Sequence, residues 1–298
     1  ELHNPDYFDR VNSRFNIEKY DNSYSGTFLW IFNSFMKLFK GKNIFKYFFW
    51  IFNPKKTKIL YFYLLYRIQQ KKLTNINFYD QVNYKEKYIY YTLHCSPEYS
   101  INMQGTMWMN QINTIELIAK SIPSDWKVYV KEHPGTLVAR LRPYNYYNDI
   151  KKIPNVKLIP IDADMHKIIN NAQMVAVVVG TAGWEAIQRG IPSIAFAENT
   201  WDILKLSKRV SNYENLSIDI YQESKRVSKI TKFERRKRLI CYIAAVLEHS
   251  FEISFPEKIY YTEEGSYDQY FKSGKEIAEA FIKHLKYLKK NQRKSLVF

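Results

Sequence analysis

At 298 residues the chain is long enough to bury a large core, as one large domain or two ordinary ones. Its 25 tyrosines and 19 phenylalanines exclude a disordered chain, and a formal net charge of +16 favours a polyanion, an anionic membrane surface or phosphorylated substrates as partners. The two cysteines, Cys95 and Cys241, lie too far apart for metal-ligand spacing and suit a reducing compartment.

No secretory signal is visible, and the chain opens on Glu1 rather than Met, as a piece cut from a longer protein would. Residues 1–27 are polar and turn-rich. Residues 28–52 are crowded with aromatics but interrupted by Lys37, Lys40, Gly41, Lys42 and Lys46. A spanning helix needs ~20 mostly apolar residues, so this stretch reads instead as two amphipathic segments joined at Gly41. Such segments either lie on a membrane, lysines near lipid phosphates, or pack against protein. Residues 59–68 predict a helix and 75–87 a polar connector.

From residue 88 the pattern becomes regular. Strands are predicted over 88–93, 127–130, 156–159, 174–179 and 193–197, and helices over 109–121, 144–151 and 165–171, with a helix body at 184–189. Strand and helix in alternation indicate an α/β domain with a parallel sheet. After Trp201 the text turns helical and basic, with helices predicted over 230–248 and 275–290 and Lys232, Arg235, Arg236, Lys237 and Arg238 clustered in the first.

The stretch 174–198 is the most informative. Its β-branched apolar run stops at Gly180, Thr181 is placed to cap the following helix with Glu185 in its first turn, and Gly190 and Pro192 end that helix. In open parallel sheets, ligands collect at the carboxyl ends of the strands, where Gly180, Thr181, Ala182 and Gly183 would lie. Amides exposed there suit a phosphate or carboxylate; a purely structural turn with two small residues explains the same letters.

His133 follows a predicted strand directly, on a loop held by Pro134 and preceded by Lys131 and Glu132. A histidine there hydrogen-bonds a phosphate oxygen and the lysine adds charge, although many His-Pro pairs only form turns. In a parallel sheet this loop and the Gly180 loop emerge on one edge. Glu98, in the loop after the first strand, is placed on that edge as a general base or, more simply, as a solvated carboxylate. The pattern argues against a His94–Cys95 nucleophile pair, because adjacent residues at a strand end point to opposite faces. His166 with Asp162 and Asp164 suggests a metal less well than a helix start explains the aspartates. The sequence carries no zinc spacing, Walker loop or GxSxG.

Four blocks then stand in order: Tyr91-Thr92-Leu93-His94 with Pro97-Glu98, the run 125–134 ending in Lys131-Glu132-His133-Pro134, Pro154-Asn155-Val156, and Gly180-Thr181-Ala182-Gly183-Trp184-Glu185-Ala186. Together they resemble the capsule polysaccharide biosynthesis family, bacterial surface-carbohydrate glycosyltransferases that include β-Kdo transferases, over residues 88–204. The resemblance implies a GT-B-like fold of two Rossmann-like domains facing a cleft, with no metal and no cofactor beyond a nucleotide-sugar donor. By that resemblance Lys131, His133 and Pro134 bind the donor phosphate, and the amides of Gly180, Thr181, Ala182 and Gly183 serve the same region. Glu185 reaches the ribose or stabilises the loop, and Glu98 with His133 carries the catalysis.

The implied function is transfer of a sugar, Kdo or another acidic sugar from a CMP donor, to a glycan or glycolipid acceptor. It would take place in the cytoplasm or on the inner face of the cytoplasmic membrane, in contact with its anionic surface and with no nucleic acid as partner. Two other readings are a sugar-nucleotide epimerase of the same architecture and a non-catalytic scaffold of a polysaccharide assembly complex. The expected organisation is a reduced or truncated, aromatic and basic N-terminal region (1–87), a Rossmann-like nucleotide-sugar domain (88–210) and a basic helical C-terminal segment (211–298) packing back on the fold.

Overall fold

A computed structural model describes residues 76–133 without Pro97, Thr136, 142–250 without Ser211, and 267–295, together with Tyr61 and Leu73. The amphipathic segments expected over 28–52 and the residue Pro134 lie outside the described residues, as does the helix expected over 59–68 apart from Tyr61.

Six parallel strands form one sheet: β1 (Tyr88–Thr92), β2 (Lys127–Lys131), β3 (Val156–Ile159), β4 (Met174–Val177), β5 (Ser193–Ala195) and β6 (Lys208–Arg209). Their order is β3-β2-β1-β4-β5-β6. The chain steps outward from β1 to β3, returns to lay β4 beside β1, and steps outward the other way. That reversal between β1 and β4 makes the topological switch point of a doubly wound, Rossmann-type sheet. The α/β parallel-sheet class expected from the alternation is the class observed.

Among the described residues, α1 (Gln111–Ser121), α2 (Tyr144–Lys151), α3 (Met165–Asn171) and α4 (Thr181–Arg189) fall between the strands, and α5 (Leu216–Ser228) follows β6. Because side chains alternate along a strand, each strand feeds two cores. Ile89, Tyr91, Val128, Val130, Leu158, Ala176 and Ile194 face Ile115 and Ile118 of α1, Tyr147 and Ile150 of α2, and Leu216 and Ile220 of α5. Tyr88, Tyr90, Tyr129, Val175, Val177 and Ala195 face Ile168 and Ile169 of α3 and Ala182 and Ala186 of α4. On this second face Tyr88 stacks on Tyr129 with ring centroids 4.1 Å apart, and its hydroxyl donates to the Ile168 carbonyl at 2.7 Å.

Strand β6 escapes sequence analysis because Lys208 and Arg209 form no apolar run; it exists by pairing with Ile194 and Ala195. The chain divides after Arg235 into two compact units. Helix α5, which the sequence grouping assigns to the C-terminal segment, therefore belongs with the sheet, against α1 and β5. The unit from Arg236 onward contains most of α6 (Lys232–Glu248) and all of α7 (Tyr267–Ser295), with His249 packed on His284 and Tyr287.

The helix ends follow local chemistry. Asp164 caps α3 by accepting from the Lys167 amide at 3.1 Å, so the aspartate is accounted for as a helix start. Gly190 ends α4 in the left-handed region at φ 78°, and the Ile191 amide reaches back to the Ala186 carbonyl at 2.9 Å. Several limits differ from expectation by one or two residues, and one difference bears on the site. Gly180, not Thr181, is the N-cap of α4, so Thr181 is the first helical residue and Glu185 lies one turn further in.

Gly183 lets α4 approach the sheet. A Cβ there would sit 3.0 Å from Val177 Cγ2 and 3.3 Å from Ser193 Oγ, so its missing side chain serves helix–sheet packing rather than ligand access. Gly183→Val is therefore expected to lower global stability by about 1–3 kcal/mol through overpacking, measured by urea denaturation. A variant as stable as the parent would contradict this packing.

Candidate functional site

The loops that leave β1, β2 and β4 at their carboxyl ends meet at the switch point. A buried ion pair holds two of them. Glu132 and Arg142 have side chains 2 % and 4 % exposed and are joined from Arg142 Nη1 to both carboxylate oxygens at 2.5 and 2.6 Å. The same carboxylate accepts from the Tyr147 hydroxyl at 2.8 Å and from the His133 amide at 2.6 Å. Arg142 Nη2 crosses to the loop after β1 and donates to the His94 carbonyl. Gln111 of α1 grips both backbone groups of His94, its Oε1 accepting from the amide at 2.7 Å and its Nε2 donating to the carbonyl at 3.0 Å.

His94 completes the bracing. The Val179 amide donates to its Nε2 at 3.2 Å, which ties the β1 loop to the β4 loop across the switch point. Since Nε2 accepts, the ring proton is on Nδ1, which is buried with no partner among the described residues. Burial, followed by the charges of His133 and Arg142, holds the His94 pKa down to about 4. Gly180 permits the close approach, since a Cβ there would lie 3.2 Å from His94 Nε2.

On this frame sit the residues expected to bind and react. His133 is partly buried at the edge, its pKa lowered to about 4 by burial and then by Arg142 and Lys131. It is a neutral imidazole at physiological pH, so it offers a phosphate a neutral N–H rather than a charge. Cys95 Sγ lies 2.9 Å from His133 Nδ1, a pairing between the β1 and β2 loops that sequence reading missed because it judged Cys95 only against its neighbour His94. Lys131 is buried and donates from Nζ to the Ala163 carbonyl at 2.6 Å, so its charge is anchored toward the loop before α3.

Thr181 is exposed and Ala182 buried at the start of α4. Their amides, like all first-turn amides, have no intrahelical acceptor. The Gly183 amide instead closes on the Gly180 carbonyl at 3.2 Å. Glu185 ties α4 to α3: its Oε2 is 3.2 Å from both Arg189 Nη1 and His166 Nδ1, and Arg189 Nη2 is 2.9 Å from that same ring nitrogen.

Glu98 is exposed in the β1 loop, and its backbone carbonyl accepts from Asn102 at 2.9 Å. It belongs to the loop that leaves β1 at the carboxyl end, and after burial its charge is among those that raise the Cys95 thiol. The residues sequence reading missed, Gln111, Arg142 and Tyr147, act through contacts 10 to 48 positions away in sequence, and no local motif marks them. A separate groove of about 630 Å³ between residues 77–78 and α2 is lined by none of the candidate site residues.

Among the described residues, no group of three or more His, Cys, Asp and Glu side chains is placed to hold a metal ion. No helix among them is long and apolar enough to cross a membrane.

Arg142→Met leaves Glu132 buried and unpaired, and a loss of roughly 3–5 kcal/mol is expected in chemical denaturation. The double variant Arg142→Met, Glu132→Leu should recover much of that loss, because no buried charge is then left alone. If the double variant is no better than the single, the pair is not the source of the penalty. Stability should also fall with acid in a defined window. Unfolded histidine titrates near ~6.5 while His94 and His133 stay neutral until about 4, so the unfolded chain binds more protons in between. The contribution is fully present above pH ~6.5 and is lost as pH falls toward 4, with His94 alone accounting for on the order of 3 kcal/mol. His133→Gln should remove about one proton from this slope, read from denaturation at successive pH values.

Comparison with known proteins adds the following. No curated protein gives a significant match. Among solved structures, the chain is similar to the β-Kdo 2,7 transferase KpsC of Thermosulfurimonas dismutans, at 14% identity and TM-score 0.36, covering 54% of this chain and 52% of that one. It is also similar to a putative UDP-N-acetylglucosamine 2-epimerase of Listeria monocytogenes, at 15% identity and TM-score 0.38, covering 63% and 52%. The chain thus spans about half the length of these structures. Residues 23–232, well over half of the sequence and including the whole sheet and every loop of the site, match the model of the capsule polysaccharide biosynthesis protein family, and the chain belongs to that family.

Proposed function

We propose that this chain is the donor-binding part of a glycosyltransferase of bacterial capsule or surface-polysaccharide synthesis, with a GT-B-like architecture when complete. The observation that carries the reading is the meeting of the His133, Cys95–Glu98 and Gly180–Thr181 loops at the switch point between β1 and β4, where a parallel sheet accepts nucleotides. Membership in the capsule family supports the biosynthetic setting.

In this reading the sugar passes from its nucleotide to the acceptor by direct displacement at the anomeric carbon. Glu98, exposed on the loop after β1, takes the proton of the acceptor hydroxyl. The neutral His133 ring donates to the departing phosphate, and the first-turn amides of Thr181 and Ala182 add the positive end of α4. Lys131 adds positive charge from its buried site, where its ammonium also donates to the Ala163 carbonyl. No step requires a metal or a further cofactor. The donor is a nucleotide sugar, with CMP-linked Kdo or another acidic sugar as the first candidate, and the acceptor is a glycan or glycolipid. The +16 charge suits an anionic donor and a station on the inner face of the cytoplasmic membrane.

The test is a nucleotide panel of CMP, UDP and GDP scored by thermal shift. One nucleotide is expected to raise the melting temperature through mass action, CMP first. His133→Ala should weaken that binding by about 1.5–3 kcal/mol, the range for a hydrogen bond to a charged oxygen. No stabilisation by any nucleotide would end the donor-site reading. In a turnover assay on the longest active form, Glu98→Gln should cut the rate ~10²–10⁴-fold while leaving donor affinity nearly unchanged. A wild-type rate in that variant moves the base elsewhere, and conversion of a UDP-sugar without any acceptor would identify an epimerase instead.

A further inference from the structure

Helix α7 carries an exposed apolar stripe. Ile277, Phe281, Ile282 and Leu285 recur at spacings that place them on one face at 3.6 residues per turn, and Gly274 and Ala278 fall on the same face. The four large side chains are between 39 % and 59 % exposed, where a core helix would bury this face. A Cβ at Gly274 would meet nothing within 4 Å, so the surface there is open. The helix is held to its own unit from a different side, where Ser273 is buried and the His284 ring packs on His249 with centroids 5.8 Å apart.

The lysines of α7 are arranged about this stripe. Lys275, Lys286 and Lys289 follow one border of it, Lys272 and Lys283 stand further round, and each is exposed. Glu279 lies in the same band, 3.9 Å from Lys275, in a pair exposed on both sides and therefore weak. Protein and lipid are the two kinds of partner that can cover such a face. Protein–protein interfaces are depleted in lysine. At a lipid surface lysine is favoured, because its stem lies along apolar surface while the ammonium stays among the phosphates. No described helix is long and apolar enough to cross a bilayer, so the stripe meets lipid by lying along it. Helix α6 repeats the order in the same unit, with Arg236 and Lys237 ahead of the exposed Ile240, Ile243 and Leu247.

We propose that α7 is a membrane-surface helix. It lies along an anionic phospholipid leaflet, with Ile277, Phe281, Ile282 and Leu285 among the upper acyl carbons and Lys275, Lys286 and Lys289 at the lipid phosphates. The proposal rests on the membrane station of the proposed function and on no feature of the donor site. It gives that station a surface, where net charge alone gives only an attraction.

The test is co-sedimentation of the full chain with vesicles of phosphatidylcholine, alone or mixed with phosphatidylglycerol. Binding is expected to the mixed vesicles, to weaken as salt is raised, and to be far weaker without the anionic lipid. Each lysine near such a surface is worth about fivefold in affinity, so the triple variant Lys275→Gln, Lys286→Gln, Lys289→Gln should lose on the order of 100-fold. Phe281→Ser should lose about tenfold with no change of charge. These positions are exposed, so the variants should keep the parent's circular dichroism and its response in the nucleotide panel. Phe281→Trp gives a second reading that needs no loss of binding, since bromine-labelled lipid should quench it beyond the parent's own tryptophans. A parent protein indifferent to mixed vesicles overturns the proposal. So does binding that neither the triple variant nor Phe281→Ser weakens, or a Phe281→Trp protein with no added quenching. If Phe281→Ser lowers the particle mass in light scattering and leaves vesicle binding intact, a second copy covers the stripe and the proposal fails. The nucleotide panel reads the donor site in free solution, so either reading can fall while the other stands.

Discussion

The buried Glu132–Arg142 ion pair is the interaction on which the site depends. Removing two charges from water costs several kcal/mol for each, and such a pair is tolerated only when the remaining lone pairs and protons also find partners. Here they do: the carboxylate accepts from Tyr147 and the His133 amide, and the guanidinium reaches the His94 carbonyl. The stabilisation this adds over an apolar substitute is small, as for most buried pairs. What it supplies is geometry. A carboxylate from the end of β2, an arginine from the segment before α2 and a carbonyl from the end of β1 can satisfy one another in few arrangements, and each sets the position of a loop.

Electrostatics at the edge are accordingly quieter than a net charge of +16 suggests. Arg142 is neutralised by Glu132, Arg189 is held by Glu185, and both histidines are neutral at physiological pH, while Lys131 keeps its charge and donates to a carbonyl. An anion arriving at the switch point meets oriented N–H groups more than free charge. Dipoles fixed in place by a rigid frame need little rearrangement when charge develops on a leaving group, which is the requirement of a transfer reaction. His94 illustrates the cost of that frame. It binds two loops together through one accepted hydrogen bond while its other nitrogen is buried without a partner. Local strands and helices impose no such arrangement; the meeting of β1 and β4 does.

Much of the architecture was legible in the letters. Short apolar runs, most of them followed by helical spacing, specified β1 to β5 and α1 to α4, with the limits of α2, β3 and α3 read directly. Gly190 announced the end of α4 and Asp164 the start of α3, because left-handed backbone and a capping carboxylate are local requirements. Strand β6 was not legible, since two basic residues become a strand only by lying beside β5. The membership of α5 in the sheet unit was hidden for the same reason, as its basic exposed positions resemble those of the helices after it. Thr181 was expected to cap α4 because threonine commonly does, but the extended Gly180 beside His94 takes that place.

By itself the sequence determined which residues sit at the carboxyl edge: His133 directly after a strand, Glu98 in the loop after another, and Gly180 to Gly183 at the start of a helix. Strand ends and parallel connection are enough to place them, because every strand of a parallel sheet points the same way. The tertiary structure alone decided what those residues are chemically. Gly183 became a packing residue, Lys131 a buried donor to a carbonyl, Glu185 a tie between two helices, and Cys95 the partner of His133. Protonation, burial and hydrogen-bond partners depend on atoms brought together from tens of residues away. A sequence specifies those contacts only through the fold, and no spacing within a single loop records them.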